Sequence, residues 1–252
     1  MHTIDTDYLV VGAGAAGMAF TDALLSHCDA DVVMVDRRHA PGGHWHDAYP
    51  FVRLHQPSAT YGVDSRSLGN DAIDTHGSDA GLYERASGPE ICGYFRKVMD
   101  EVLLPSGRVR FHALCDYLGD FSGEHVFRSR LTGERTRVRV RRRVVDTTYL
   151  EVSVPATHTP GFAFDADVRF MPVGDLATLE EAPSGYTILG GGKTAMDACY
   201  WLLQNGVQPD RIRWIRPRDS WVLPRTCFQP LGLVGGTLEV FAQAVEILAE
   251  AA

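Results

Sequence analysis

The run Tyr8-Leu9-Val10-Val11-Gly12-Ala13-Gly14-Ala15-Ala16-Gly17, answered by Asp31-Val32-Val33-Met34-Val35-Asp36, decides how this chain folds. Consecutive apolar residues at 8–11 read as a buried strand, and Met18, Ala19, Ala23 and Leu24 continue with helical spacing. The second apolar run is another buried strand, so the opening is a βαβ unit. Each glycine has its own task. Gly12 makes the tight turn, Gly14 leaves room for a pyrophosphate beside the backbone, and Gly17 lets the helix pack against the strand, with Ala13, Ala15 and Ala16 as the small residues between. Asp36 stands nineteen residues after Gly17 at a strand end, where a carboxylate accepts hydrogen bonds from a ribose. Strand, glycines, helix, strand and acid agree on a dinucleotide site. Arg37, next to the acid, is a candidate ligand contact and equally a solvated surface residue.

The same grammar returns near the other end of the chain. Tyr186-Thr187-Ile188-Leu189 reads as a strand, Gly190-Gly191-Gly192 as the turn, Thr194 to Gln204 as a helix and Arg211 to Arg216 as a second strand. The pattern is Gly190-x-Gly192-x-x-Ala195, with Lys193 and Thr194 opening the helix. An advance of 24 residues leads from Gly12 to Asp36, and from Gly190 it leads to Trp214. No carboxylate stands there. Arg216 and Arg218 at this strand end suit the 2′-phosphate that distinguishes NADPH from NADH, the competing reading being an arginine-rich surface turn. Gly192-Lys193-Thr194 also looks like the tail of a nucleoside-triphosphate loop, but that loop needs glycine at 187, which is Thr.

Between the two units, residues 41–61 form a shaped loop rich in Gly, His, Trp, Tyr and Pro, and 64–81 is irregular. The spacing predicts a helix from Pro89 to Leu103 with Ile91, Phe95, Val98 and Val102 on one face. Strands are expected at 109–113, 125–131, 135–140 and 144–148, with a hairpin turn at Thr132-Gly133-Glu134. Arg135, Arg137, Arg139 and Arg141 alternate on one strand face, which reads as solvated rather than phosphate-binding. The expected fold class is α/β: a doubly wound Rossmann-like domain over 1–154, a proline-rich connector over 155–183, and a partial second Rossmann-like unit over 184–252. The last of these ends in a helix from about 237 to 250.

With 45 % hydrophobic residues among 252, the chain can bury a sizeable core. A formal charge of −8 argues against a general nucleic-acid binder. The five cysteines are scattered, with no Cys-x-x-Cys pair, which suits a reducing, cytoplasmic setting and leaves a disulfide relay without its parts. No leader and no membrane-spanning run is read. His44, His46 and His55 have no metal-ligand spacing, so no metal site is expected.

Gly42-Gly43-His44-Trp45 and Tyr49-Pro50-Phe51-Val52-Arg53-Leu54-His55-Gln56-Pro57-Ser58-Ala59-Thr60-Tyr61 follow the second strand closely. This stretch resembles the class B flavin-dependent monooxygenases, the flavin-containing and Baeyer–Villiger groups and their FAD/NAD(P)-binding relatives. The resemblance runs from Asp7 to about Pro230. It implies FAD at the first turn, NADPH at the second, and Gly43, His44, Trp45, Arg53, Gln56 and Pro57 near the flavin. Arg53 and His55 would stabilise negative charge on the reduced flavin. Two departures stand out: His55 replaces the usual Asp two residues after that Arg, and Phe121-Ser122-Gly123-Glu124-His125 brings its His two positions early for the Phe-x-Gly-x-x-x-His fingerprint. Relatives of this kind continue past the second motif, so the resemblance implies a C-terminally shortened chain.

Three readings follow: an NADPH-dependent FAD monooxygenase acting on O₂ and a small organic substrate, an NADPH-consuming oxidase or reductase without oxygen insertion, and a shortened flavin-binding protein acting as a partner. For assembly the alternatives are a homo-oligomer or a partner that supplies the remaining segment, with no nucleic acid and no membrane.

Overall fold

The computed structural model describes residues 2–121, 123–148, 161–218 and 222–250, the last four as backbone alone. The expected boundary at 154 and the first part of the expected connector lie outside the described residues. The chain forms two compact units, Met1–Asp47 with Pro57–Glu151, and Ala48–Gln56 with Val152–Ala252.

The first unit is organised around β1 (His2–Val11), a ten-residue strand of which the sequence pattern marked only the last four residues. From it the chain runs through α1 (Ala15–His27) into β2 (Val32–Val35), and after a short β3 (Gly62–Val63) and β4 (Arg66–Ser67) hairpin into α2 (Gly88–Val98). β5 (Val109–His112), β6 (Cys115–Phe121), β7 (Glu124–Ser129) and β8 (Arg135–Asp146) complete a six-stranded sheet of order β5-β2-β1-β8-β7-β6. The pairs β1–β2, β1–β8 and β2–β5 are parallel, and β6–β7–β8 is an antiparallel meander. Parallel pairing buries both faces of β2, whose four residues are at most 1 % exposed. One core of the unit joins Ile4, Leu9, Val11, Val33, Val35, Phe127 and Val138.

Three expectations are corrected, and one strand, β6, is added. The segments 135–140 and 144–148 belong to one strand, β8 (Arg135–Asp146), which stays paired with its parallel neighbour β1 across a bulge. β6 carries no sequence signal, because Asp116-Tyr117-Leu118-Gly119-Asp120 lacks both alternation and an apolar run. On α1 the buried stripe is Gly17, Met18, Thr21 and Asp22, while Ala23 faces solvent. Past Val98, α2 loosens into a π-turn at Met99–Leu103, which adds a residue to the turn, so Leu103 and not Val102 is the fully buried member of that face. The arginine-rich face of β8 is solvated and ion-paired, with Arg137 and Arg139 on Glu124 and Val138 fully buried beneath.

The second unit has β9 (Tyr186–Leu189), α3 (Lys193–Gln204) and β10 (Ile212–Ile215), the two strands parallel, then α4 (Val234–Glu250). Its core joins Leu176, Ile188, Ala195, Ala198 and Leu202, with Phe51 from the inserted segment packed against them.

A bulge in β8 sets both Arg141 and Arg142 opposite Asp7 of β1. Its carboxylate also accepts the Asp31 N–H at 3.0 Å, which fixes the turn before β2. The hydrogen bond from Arg141 and that from Asp31 pull the Asp7 pKa from 3.8 to about 2. A depressed carboxylate contributes stability above its unfolded pKa and loses it as pH falls through the folded one. Asp7→Asn is therefore expected to lower the urea midpoint at neutral pH and to flatten the loss of stability that the parent shows between pH 3.8 and about pH 2. Parallel midpoint–pH curves for the two proteins would refute this.

Candidate functional site

At the C-terminal end of β1 the chain turns through Gly12, whose φ of 100° only glycine adopts readily. A Cβ there would lie 2.6 Å from Thr147 Oγ1 at the end of β8. Thr147 Oγ1 itself donates to the Val11 carbonyl at 2.8 Å. A Cβ on Gly17 would lie 2.0 Å from the Gly12 carbonyl oxygen, so α1 lies on the turn at a distance no side chain permits. Gly43, at φ 58°, meets Gly14: a Cβ on it would stand 2.8 Å from Gly14 Cα. The Gly42 N–H donates to the Ala13 carbonyl at 2.9 Å. Two glycine-containing segments thus form a cradle in which backbone packs directly on backbone.

Asp36 is 5 % exposed and closes this cradle from β2. Its carboxylate accepts the Ala13 N–H at 2.6 Å and the Arg38 N–H at 2.7 Å. The acid read as a ribose ligand is therefore also the clamp on the turn. Helix α1 starts at N-cap Gly14 with no side-chain cap and no acid in its first turn. By contrast α2, away from any glycine turn, carries a complete Ser87/Glu90 capping box. An uncapped helix start leaves amide donors and the positive end of the dipole for an anion.

Of the other expected residues on this unit, Ala13 and Gly43 are buried, Ala15 is half-buried, and Ala16, Arg37 and His44 are exposed. His44 stacks on Trp45, whose Nε1 donates to the Tyr61 hydroxyl at 2.8 Å. His46 Nε2 lies 2.9 Å from the Pro41 carbonyl, and Cys92 Sγ lies 3.8 Å from His46 Nδ1. Sequence reasoning missed Thr147, Cys92 and Asp36's clamping role. Only the strand-end position of Thr147 signalled its place.

In the second unit Gly190 turns at φ 133°, and its N–H donates to Ile215 as that of Gly12 does to Val35. Arg216 therefore follows Ile215 where Asp36 follows Val35, and the advance of 24 residues to Trp214 falls two positions short; Trp214 lies within β10 and donates its Nε1–H to the Gly190 carbonyl at 2.7 Å. A side chain holds each turn from different register positions: a carboxylate just past β2 accepts in the first unit, and an indole within β10 donates in the second. Ala195 replaces the third glycine and fits, 3.7 Å from a Cβ built on Gly190. A Cβ on Gly191 would lie 2.4 Å from the Arg218 carbonyl, so the chain after β10 returns to the turn. Arg216 lies over the Trp214 ring at 4.9 Å, and both Arg216 and Arg218 are exposed. Helix α3 starts at N-cap Gly192, again with no side-chain cap and no acid in its first turn. Lys193 is paired with Asp197, and Thr194 is half-buried.

Arg53, His55 and Gln56 belong to the segment Ala48–Gln56 of the second unit, while Pro57 belongs to the first. Val52-Arg53-Leu54-His55 alternates buried and exposed residues. Tyr49 donates to Asp197 Oδ2 at 2.7 Å, and Phe51 stacks on Trp201 at 4.6 Å. Burial, then the neighbouring Asp197, raises the Tyr49 phenol above its ordinary range, so it stays a donor. All five cysteines are free, and among the described residues no helix is long and apolar enough to cross a membrane.

These turns define an α/β protein with Rossmann-like dinucleotide-binding architecture, and residues 10–64 match the NAD(P)-binding Rossmann-like domain family. An uncharacterised protein of Mycobacterium tuberculosis is 50 % identical over 228 residues, 90 % of this chain. The chain spans 41 % of that relative's length. Among solved structures, an open form of cyclohexanone monooxygenase aligns over 100 % of this chain and 46 % of its own, with a TM-score of 0.54 and 18 % identity. A flavin-containing monooxygenase from Stenotrophomonas maltophilia aligns over 97 % and 68 %, with a TM-score of 0.53 and 17 % identity. The fold is that of the flavin monooxygenases.

Gly17→Ala forces α1 off the turn and is expected to cost roughly 1–3 kcal/mol, as overpacking does. Gly93→Ala on α2, where nothing lies within 4 Å of the added methyl, serves as control and is expected to hold or raise stability. Urea unfolding of both variants checks the pair; an unchanged midpoint for Gly17→Ala contradicts the close approach.

Proposed function

We propose that the chain is a flavoprotein oxidoreductase that binds FAD at the first turn and NADPH at the second, and that it works as a monooxygenase on a small organic substrate. The observation that carries this reading is the pair of uncapped helices, each starting at a glycine turn and flanked by groups of opposite sign. Asp36 suits ribose hydroxyls and repels a 2′-phosphate. Arg216 and Arg218 attract one.

The fit to FAD rests on the uncapped start of α1, where the Gly14 and Gly43 backbones meet, and on Asp36. A carboxylate has about four acceptor sites, so one that holds two backbone N–H groups can still take ribose hydroxyls. Bound there, FAD supplies hydride acceptance from a nicotinamide and onward transfer to O₂. The chain's part is to hold the pyrophosphate on the first turn of α1, the ribose on Asp36 and the 2′-phosphate on the arginines. Arg53 and His55 are assigned to charge stabilisation by resemblance. A second reading, an NADPH oxidase or reductase without oxygen insertion, is favoured by His125. Its Nδ1 lies 2.8 Å from the Tyr117 hydroxyl on the β6–β7 hairpin, where it serves the sheet.

The absorption spectrum of the purified protein, followed by anaerobic NADPH, tests the reading: flavin bands are expected, and NADPH should bleach them. Asp36→Ala or Gly43→Ala should yield folded protein with greatly reduced flavin, and parental flavin content in both would count against the first site. NADPH should bind more tightly than NADH. Charge-assisted hydrogen bonds contribute on the order of 1.5–3 kcal/mol each, so Arg216→Ala with Arg218→Ala should cut that preference by tenfold or more at fixed ionic strength. Equal affinity for the two nucleotides in the parent would sink the arginine assignment.

A further inference from the structure

Lys193 is the first residue of α3 and follows the glycine turn directly, yet its ammonium does not stand alone at the helix start. It is ion-paired with Asp197 one helical turn on, with side chains only 16 % and 23 % exposed. The Tyr49 hydroxyl lies 3.4 Å from the same ammonium and donates to the same carboxylate oxygen, Asp197 Oδ2, at 2.7 Å. Lys193 Nζ also sits 5.9 Å from the centre of the Tyr49 ring.

A phosphate group on this turn would draw the ammonium, because a lysine is a compact charge on a long flexible stem. Asp197 opposes that move, since it already neutralises the ammonium. Tyr49 assists it, since its hydroxyl still satisfies Asp197 after the ammonium has left. We infer that Asp197 and Tyr49 are positioning residues that set the affinity of the second site for a dinucleotide phosphate by opposed control of Lys193. The inference rests on the proposal that this site binds NADPH.

The opposition gives a signature that a scaffolding role lacks. Asp197→Asn releases Lys193 and should tighten the binding of NADP⁺. Tyr49→Phe keeps the ring against Phe51 but removes the hydroxyl, so Asp197 holds Lys193 harder and NADP⁺ binding should weaken. Each change should be about two- to fivefold, the range of a partly exposed ion pair. In a Lys193→Ala background both effects should vanish, whatever the background affinity. The measurement is calorimetric titration of the full chain with NADP⁺, which needs no turnover, with circular dichroism confirming that each variant is folded.

Weakening by both single variants, or effects that persist undiminished without Lys193, would overturn the inference while leaving the nucleotide site intact. NADP⁺ binding indifferent to both substitutions would do the same. A folded parent that binds no NADP⁺ at all would overturn the second-site proposal and this inference with it.

Discussion

The structure of the first unit depends on how closely α1 lies to the turn that precedes it. With the Gly12 carbonyl oxygen 2.0 Å from where a Cβ of Gly17 would be, only hydrogen fits between helix and strand. That approach lets β1 pass directly into a helix whose first amides and dipole point at the glycine turn. It also requires Asp36 to hold the turn from β2, because backbone this tightly folded needs its N–H groups satisfied by short, directed bonds. Helix, turn and acid are one mechanical unit, so a change at any of them reaches the others.

The second unit solves the same problem with other atoms. Ala195 relaxes the contact that Gly17 makes, and a donor within β10, Trp214, holds the turn that Asp36, an acceptor just past β2, holds in the first unit. At the position of Asp36 the second unit carries Arg216, so a positive charge follows its second strand where a negative one follows that of the first. The residue just past each second strand thereby sets the electrostatic character of its turn.

Much of this was legible in the chain. Gly12, Gly14, Gly17 and Asp36 announce the first βαβ unit because each is the residue type that its backbone or hydrogen-bond position demands, and Gly190, Gly192 and Ala195 announce the second. Local patterns could not show that β8 is continuous across Arg141-Arg142-Arg143, since the strand is carried over its bulge by pairing with β1. Nor could they show the π-turn after Val98, which turns on a single shifted hydrogen-bond register. The cradle residue Gly43 was legible through its Gly-Gly motif, but Thr147 and the Lys193–Asp197–Tyr49 network were not, because their partners are distant in sequence.

Tyr49 and Phe51 also bear on the order in which the chain matures. Nine residues leave the first unit at Ala48, complete the core of the second beside Trp201 and Ile188, and return at Pro57. The Tyr49–Asp197 bond closes a loop of 148 residues, an entropic cost met only once α3 exists. During synthesis from the N-terminus, therefore, the two aromatics wait without their partners until α3 has been made. A fragment starting after residue 151 lacks the Phe51 ring against Trp201, so the second unit is assembled from two pieces of chain rather than one.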